Sequence, residues 1–246
     1  MSTGIWMAAS GASSQITALD ATANNLANAN TAGFKVDQAV FREHLIQAMY
    51  VGRSAREMRY NGVESVAPDM RSGPLQITNK PLDVAIENED AFFAIQTPRG
   101  ERYTRAGAFQ IGPEGGLVTA QGYPVLDSGG SPISVQPDAK ILSFGDDGTL
   151  TVDDSDVGQL KLVKFRDFKG LEKDGDTMFR VTPRSGRAEV SPVTVIPGAL
   201  EMPNVSIVKG MTDLVSATRA FEALEKAVET FSSLEHRAAT DIVGAR

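Results

Sequence analysis

The sequence predicts a mainly β protein with one long helix at each end. Three observations carry this prediction: apolar positions alternately four and three apart near the N-terminus, a helical apolar face near the C-terminus, and short apolar runs between turn residues in the middle. With 246 residues, the chain is long enough for one large or two small domains with a sizeable core.

The N-terminal helix is predicted over residues 4–29, and Gly33 suits its termination. Its heptad stripe consists of Ile5, Ala9, Ala12, Ile16, Leu19, Ala23 and Leu26. Asp20 is the only ionisable side chain in the first 34 residues, so the outer face lacks the charges that normally solvate an exposed helix. We therefore expect neighbouring subunits to bury that face.

The middle of the chain, about residues 72–200, predicts strands. Turn residues recur about every ten positions, and no long helical pattern intervenes, which favours an antiparallel sandwich or barrel. The alternation changes phase near Leu162, which predicts a β-bulge there. The strand-like segments are 82–86, 92–96, 117–119, 140–144, 160–165 and 178–182.

The C-terminal helix is predicted over residues 205–242. Pro203 favours an extended chain before it, and Asn204 is the expected cap. Met211, Leu214 and Phe221 are the expected seam of its apolar face, and charged residues lie on the opposite face. A solitary long helix is marginal in water, so we expect the two terminal helices to pair as an antiparallel coiled coil.

These elements divide the chain into four parts. They are an N-terminal helix with its following motif (1–35), a connecting segment of undecided shape (36–71), a β-rich middle domain (72–204) and the C-terminal helix (205–246).

Composition argues against several function classes. The formal net charge of −7 disfavours a nucleic-acid partner, because phosphate binding needs a basic face. The absence of cysteine excludes disulfides and thiolate chemistry. The apolar run at residues 5–9 is far too short for membrane insertion, and the first residues have no secretory-signal pattern, so we expect a chain without a cleaved signal peptide.

We expect no catalytic, cofactor or metal site. His44 and His236 have no metal-ligand spacing around them, and neither a nucleophile elbow nor a phosphate-binding loop occurs. The acidic stretch at 146–156 imitates only the beginning of a calcium-binding loop, so we interpret it as acidic loop tips. The sequence thus predicts neither an enzyme nor a binder of small-molecule substrates.

Segment 24–35, Asn-Asn-Leu-Ala-Asn-Ala-Asn-Thr-Ala-Gly-Phe-Lys, resembles the N-terminal motif of bacterial flagellar rod and hook proteins. The run from Gly198 to Glu201, followed by Asn204-Val205 and by 219–222, resembles their C-terminal motif. Segments 82–86, 92–93, 103–107 and 117–125 resemble the middle domain of the rod proteins. Pro203 and the stretch 87–91 depart from the family pattern, which blurs the choice among rod proteins.

The resemblance implies a structural subunit of the flagellar basal-body rod. Overall length and the compact stretch 129–164 look more like the proximal-rod member, and the distal-rod protein is the alternative. It also implies export by the flagellar type III apparatus, location in the periplasm-spanning rod, and partners among other rod and hook axial proteins and copies of itself.

The resemblance and the helical patterns together nominate residues for the subunit interface. The nominated residues are Ile5, Ile16, Leu19, Asn24, Asn25, Leu26, Asn28, Asn30, Gly33, Phe34, Asn204, Ile207, Met211, Leu214, Arg219, Phe221 and Glu222. The rival hypotheses are an extracellular adhesion module and a cell-wall hydrolase. Deletion of residues 1–30 separates the classes, because an enzyme or adhesin should keep its activity and a rod subunit should lose assembly.

Overall fold

The structure is a computed structural model that describes residues 3–47, 57–135, 141–153 and 155–244. It is mainly β with a helix towards each end, as the sequence predicts. The helices are α1 (Thr3–Ala27) and α2 (Ile207–Gly244), and a short 3₁₀ helix spans Phe168–Gly170. The strands of the described residues are β1 (Asp37–Gln47), β2 (Glu57–Pro68), β3 (Leu75–Ile77), β4 (Val84–Ile86), β5 (Ala91–Thr97), β6 (Gly100–Thr104), β7 (Phe109–Ile111), β8 (Leu117–Thr119), β9 (Leu142–Phe144), β10 (Thr149–Val152), β11 (Ser155–Gln159), β12 (Leu162–Lys164), β13 (Glu172–Lys173), β14 (Met178–Arg180), β15 (Glu189–Val190), β16 (Val195–Pro197) and β17 (Ala199–Glu201).

The chain divides into two compact units. Unit 1 comprises residues 1–27, 37–67 and 206–246, and unit 2 comprises residues 28–36 and 68–205. Each unit is therefore assembled from segments that are far apart in sequence.

In unit 1, the helices α1 and α2 pack against each other, and α1 also contacts β1. The half-buried face of α2 presents Leu214, Phe221, Leu224 and Val228, with the four-and-three spacing of a helix seam. Gly11 of α1 faces α2, because a Cβ there would lie 3.4 Å from Leu224 Cδ1, at van der Waals distance. Residues 37–47 and 57–68, for which the sequence pattern gave no period, form the paired strands β1 and β2.

Unit 2 is built around a six-stranded sheet with strand order β13-β14-β6-β5-β12-β15, in which neighbouring strands are antiparallel. Alternate residues of β5 serve two apolar clusters, because successive side chains of a strand point to opposite faces. Phe93 and Ile95 belong to one cluster, which extends to Leu117 and Leu150, and Phe92 and Ala94 belong to the other. Both faces of the sheet are thus covered.

Smaller antiparallel sheets complete unit 2. They are β9-β10-β11, β4-β16, β3-β17 and β7-β8. None of these sheets closes on itself within the described residues, so the barrel alternative of the predicted fold is not realised.

The predicted bulge at Leu162 is wrong. Strand β12 pairs regularly with β5, Leu162 opposite Phe93 and Val163 opposite Phe92. Leu162 belongs to one apolar cluster and Val163 to the other, so both neighbours are buried without any change of phase. A strand covered on both faces produces this apolar doublet directly.

Candidate functional site

An exposed apolar stripe runs along the first turns of α2. Ile207, Met211 and Val215 follow one another at four-residue intervals, and Val208 lies three positions before Met211, so all four lie on one side of the helix. The side chains of Val208 and Met211 are 78% and 53% exposed. Further along, Phe231 and Leu234 are also exposed. Contiguous exposed apolar side chains on a helix are typical of a surface that another chain covers.

Helix α1 has its own exposed apolar side chains, which are those of Trp6, Met7 and Ile16, with Trp6 65% exposed. The buried positions of this helix are small or polar: Ala8, Ser14, Ala21 and Asn25. The larger apolar side chains of α1 therefore point outward or are only half-buried, which is the reverse of an ordinary amphipathic helix.

Apart from the buried Asn25, the nominated interface residues on the helices fall into two groups. Ile5, Leu19, Leu26, Leu214 and Phe221 are half-buried within unit 1. The exposed group consists of Ile16, Asn24, Ile207, Met211, Arg219 and Glu222. Met211 thus lies on the exposed stripe and not on the half-buried seam with Leu214 and Phe221.

Asn25 is a buried amide with a defined structural role in unit 1. Its Nδ2 donates to Asp37 O at 2.8 Å, and its Oδ1 accepts from Asp37 N at 2.7 Å. Asn28, just past α1, accepts through Oδ1 from the Thr31 hydroxyl, whereas Asn30 is exposed. The asparagines of the motif therefore occupy distinct environments.

Asn204 is not the cap of α2. Its Oδ1 accepts from Val36 N at 2.8 Å, and its Nδ2 donates to Asp69 O at 2.9 Å and to Arg71 O at 3.0 Å. The cap position belongs to Ser206, whose backbone oxygen accepts the first helical bond from Gly210 N. Asn204 instead joins three segments of unit 2.

Gly33 and Phe34 are buried within unit 2. Gly33 has φ +71°, and a Cβ there would lie 2.2 Å from Ala106 N, so only glycine fits both the conformation and the space. Its N–H donates to Glu201 O at 2.8 Å. Lys173 Nζ lies 3.8 Å from the centre of the Phe34 ring and donates to Lys35 O.

Lys35, Arg105 and Glu201 form a buried ion cluster beside Gly33 and Phe34. Lys35 Nζ lies 2.7 Å from Glu201 Oε1, and Arg105 Nε lies 2.7 Å from Glu201 Oε2. The three side chains are each at most 2% exposed. Arg105 also donates to the carbonyls of Ile86, Asn88 and Ala91, and Lys35 donates to that of Arg71. Every charge is therefore both paired and hydrogen-bonded, as burial requires.

The cluster sets the pKa values of its members. Burial alone would raise the pKa of Glu201, but Arg105 and Lys35 more than offset burial and hold that pKa below its ordinary value. Burial lowers the pKa of Lys35, and Glu201 offsets this only in part. Glu201 is thus held as a carboxylate.

Lys35, Arg105 and Glu201 lie in the sequence segments that resemble the family motifs, but the sequence predicted no role for them. A signal was present, because each is a single charge beside glycine, alanine or apolar residues: Gly33-Phe34-Lys35-Val36, Arg105-Ala106-Gly107 and Ala199-Leu200-Glu201-Met202. Residues of this kind are rarely buried unless they are paired.

The described residues hold no group of three or more His, Cys, Asp and Glu side chains that could bind a metal ion. Asp154, a member of the acidic stretch, lies outside them, and so does the side chain of His44. Of the helices in the part of the chain that the structure describes, neither is long and apolar enough to cross a membrane.

The fold and the exposed stripes define a β-rich protein whose two terminal helices present apolar side chains to solvent. Residues 5–35 match the family model described as flagella basal body rod protein, and residues 196–240 match that of the flagellar basal body rod FlgEFG protein C-terminal region. Residues 85–152 match the flagellar hook protein FlgE/F/G D1 domain.

Similar whole proteins carry related names. The flagellar basal-body rod protein FlgF of Caulobacter vibrioides is 36% identical over 220 residues, covering 89% of each chain. FlgG of Bacillus subtilis is 34% identical, covering 87% of this chain and 89% of its own. FlgF of Salmonella typhimurium is 33% identical, covering 95% of this chain and 96% of its own. The chain belongs to the flagellar basal-body rod protein family.

Proposed function

We propose that this chain is a structural subunit of the bacterial flagellar basal-body rod, joined through its terminal helices to copies of itself and to other rod and hook axial proteins. The observation that carries the proposal is the stripe Ile207, Val208, Met211 and Val215, together with the exposed apolar side chains of α1. Burying such side chains in an assembly is favourable by about 25 cal/mol of free energy for each Å² of apolar surface removed from water. The names of the relatives agree with this function.

The finer parts of the proposal concern position and delivery. The subunit belongs to the proximal rod, with the distal rod as the alternative, and reaches the periplasm-spanning rod through the flagellar type III apparatus. The terminal helices act as a coiled coil, which the spacing of Leu214, Phe221, Leu224 and Val228 supports. Arg219 and Glu222, exposed on α2, contribute to the register between subunits.

The proposal assigns no reaction, cofactor, membrane insertion or nucleic-acid partner to the chain. A rod subunit functions by binding neighbouring subunits, so its function depends on non-covalent contacts at its interfaces. Deleting residues 1–30 should abolish assembly, whereas an adhesion module would retain binding by its β-rich part.

The exposed stripe can be tested without disturbing the fold. In cells that depend on this chain for motility, we expect V208S/M211S to abolish motility and incorporation into purified hook–basal bodies. The isolated variant should keep its helical circular dichroism, because both side chains face solvent. V190S is the matched control, since Val190 is 61% exposed on β15 of unit 2. Normal incorporation of V208S/M211S would contradict the proposed interface.

Position along the rod requires a second experiment. Crosslinking from residues 1–35 in assembled basal bodies, followed by mass spectrometry, identifies the neighbours. Crosslinks to components at the membrane-proximal end support the proximal rod, and crosslinks to the hook-side end of the rod support the distal alternative.

A further inference from the structure

The two oxygens of Glu201 serve different parts of the chain. Oε1 accepts from Lys35 Nζ at 2.7 Å and from Gly73 N at 3.1 Å, whereas Oε2 accepts from Arg105. Residues 33–35, here called the strap, and strand β17 thus meet at one carboxylate. They are 166 positions apart at Lys35 and Glu201.

The charges of the cluster do not balance, because Lys35 and Arg105 are two cations and Glu201 is one anion. Backbone carbonyls around both cations solvate the excess positive charge. Without the strap, Glu201 and Arg105 would still form a neutral pair. Without Glu201, the strap would place a second buried cation beside Arg105 with no buried carboxylate to compensate, which is strongly unfavourable. Glu89 also attracts Lys35, but its side chain is exposed.

This asymmetry gives the two docking events an order. Strand β17 can pair with β3 and bring Glu201 to Arg105 whether or not the strap is in place. Some partners of the strap do not belong to β17, namely Arg71 O for Lys35 Nζ and Lys173 Nζ for Lys35 O. Two further partners arrive only with β17: the carboxylate for Lys35 and the carbonyl of Glu201 for Gly33 N. We propose that Glu201 is a conditional latch, so that the strap docks on unit 2 only once β17 has delivered Glu201 to Arg105.

The latch concerns unit 2 alone and does not depend on the proposed function. It means that the segment following α1 stays undocked until residues near the other end of the chain have been placed. In a partly folded chain, in which β17 has not yet paired with β3, the strap is therefore undocked, whereas in the fully folded chain it is docked.

Amide hydrogen exchange on the full-length protein tests the order. Gly33 N–H reports the strap, Met202 N–H, which donates to Pro74 O, reports the β17 side, and the amides of β5 and β6 report the core. In E201Q we expect Gly33 to exchange at least ~100-fold faster, because two buried cations lose their carboxylate. In K35M we expect Gly33 to exchange only about 10-fold faster and Met202 to stay protected, because the pair of Glu201 and Arg105 survives.

The double variant K35M/E201Q distinguishes a latch from simple packing. Removing the second cation should return Gly33 exchange towards the K35M value, so the double variant is less perturbed than E201Q. The control E172Q, which alters the exposed pair of Glu172 and Arg180, should change none of these amides.

Three results would overturn the proposal. They are wild-type protection of Gly33 in E201Q, additive effects in the double variant, and loss of Met202 protection in K35M equal to that of Gly33. If E201Q alone does not fold, K35M/E201Q must still fold, since it lacks the uncompensated cation; failure of both also overturns the latch.

Discussion

At the scale of single residues, the depressed pKa of Glu201 makes the stability of unit 2 depend on pH. The carboxylate form is favoured in the folded state, so its contribution is complete above the unfolded pKa of about 4.3 and is lost as pH falls through the folded pKa. We expect E201Q to be less stable than the wild type by about 3 kcal/mol at pH 7. That difference should shrink steadily below about pH 4.

The measurement is urea unfolding of both proteins between pH 2 and pH 7, followed by near-ultraviolet circular dichroism. Asp69, Asp147 and Asp174 also have pKa values lowered by hydrogen bonds, and they affect both proteins equally. The difference between the two proteins therefore isolates Glu201. A difference that stayed constant down to pH 2 would show that the carboxylate charge contributes nothing.

Gly33 and Phe34 show that the role of a residue can depend on tertiary contacts that a local sequence pattern does not reveal. The sequence indicated Gly33 as a helix terminator, whereas α1 ends at Ala27, and Gly33 and Phe34 are buried six and seven positions later in unit 2. The close approach of Gly33 to Ala106 joins positions that no local pattern links. Asn204 was likewise expected as a cap and bonds three distant backbone groups instead.

At the scale of elements, the contact of α1 with α2 leaves room at Gly11 for a methyl group but not for a large side chain. G11A should be neutral or stabilising by up to about 1 kcal/mol, because alanine favours the helix and its Cβ would meet Leu224 at van der Waals distance. G11L should destabilise unit 1 by about 1–3 kcal/mol, because the larger side chain forces the helices apart. Thermal unfolding at 222 nm measures both changes.

Two further variants control this prediction. L224A should partly rescue G11L, since it removes the side chain against which the leucine would clash. G210L should be tolerated, because a Cβ at Gly210 has no neighbour within 4 Å. Equal damage from G11L and G210L would mean that leucine harms these helices without any contact between them.

The helices and several strands were predictable because their periodicity is local. The predicted 4–29 and 205–242 correspond to Thr3–Ala27 and Ile207–Gly244, and the segment 117–119 is β8. Strands β1 and β2 were not predicted, since their sequences mix apolar and charged residues without period. The buried cluster was out of reach for another reason: its partners are set by tertiary pairing over 96 and 166 positions.

At the scale of the whole molecule, net charge opposes assembly while the apolar stripes favour it. The formal charge of −7 makes copies of the chain repel one another at neutral pH. Raising the salt concentration from about 0.05 M to 0.5 M shortens the screening length several-fold, so we expect self-association of the purified protein to strengthen. Analytical ultracentrifugation at both concentrations measures the shift.

The same experiment separates two kinds of interface. In V208S/M211S the association should be weak at both salt concentrations, because the apolar contribution is gone. Association of the wild type that weakened with salt would instead assign the dominant contribution to ion pairs such as those of Arg219 and Glu222.

The single carboxylate at position 201 also constrains how such chains can be recombined. A chimera that takes residues 1–36 from one relative and the rest from another inherits Lys35 and its acceptor from different parents. If the N-terminal segment brings a neutral residue at position 35, Glu201 and Arg105 of the other parent still form a neutral pair. If it brings Lys35 into a chain that lacks the acid at position 201, two buried cations remain without that carboxylate. We therefore expect a chimera to tolerate the loss of Lys35 better than the loss of the acid at position 201.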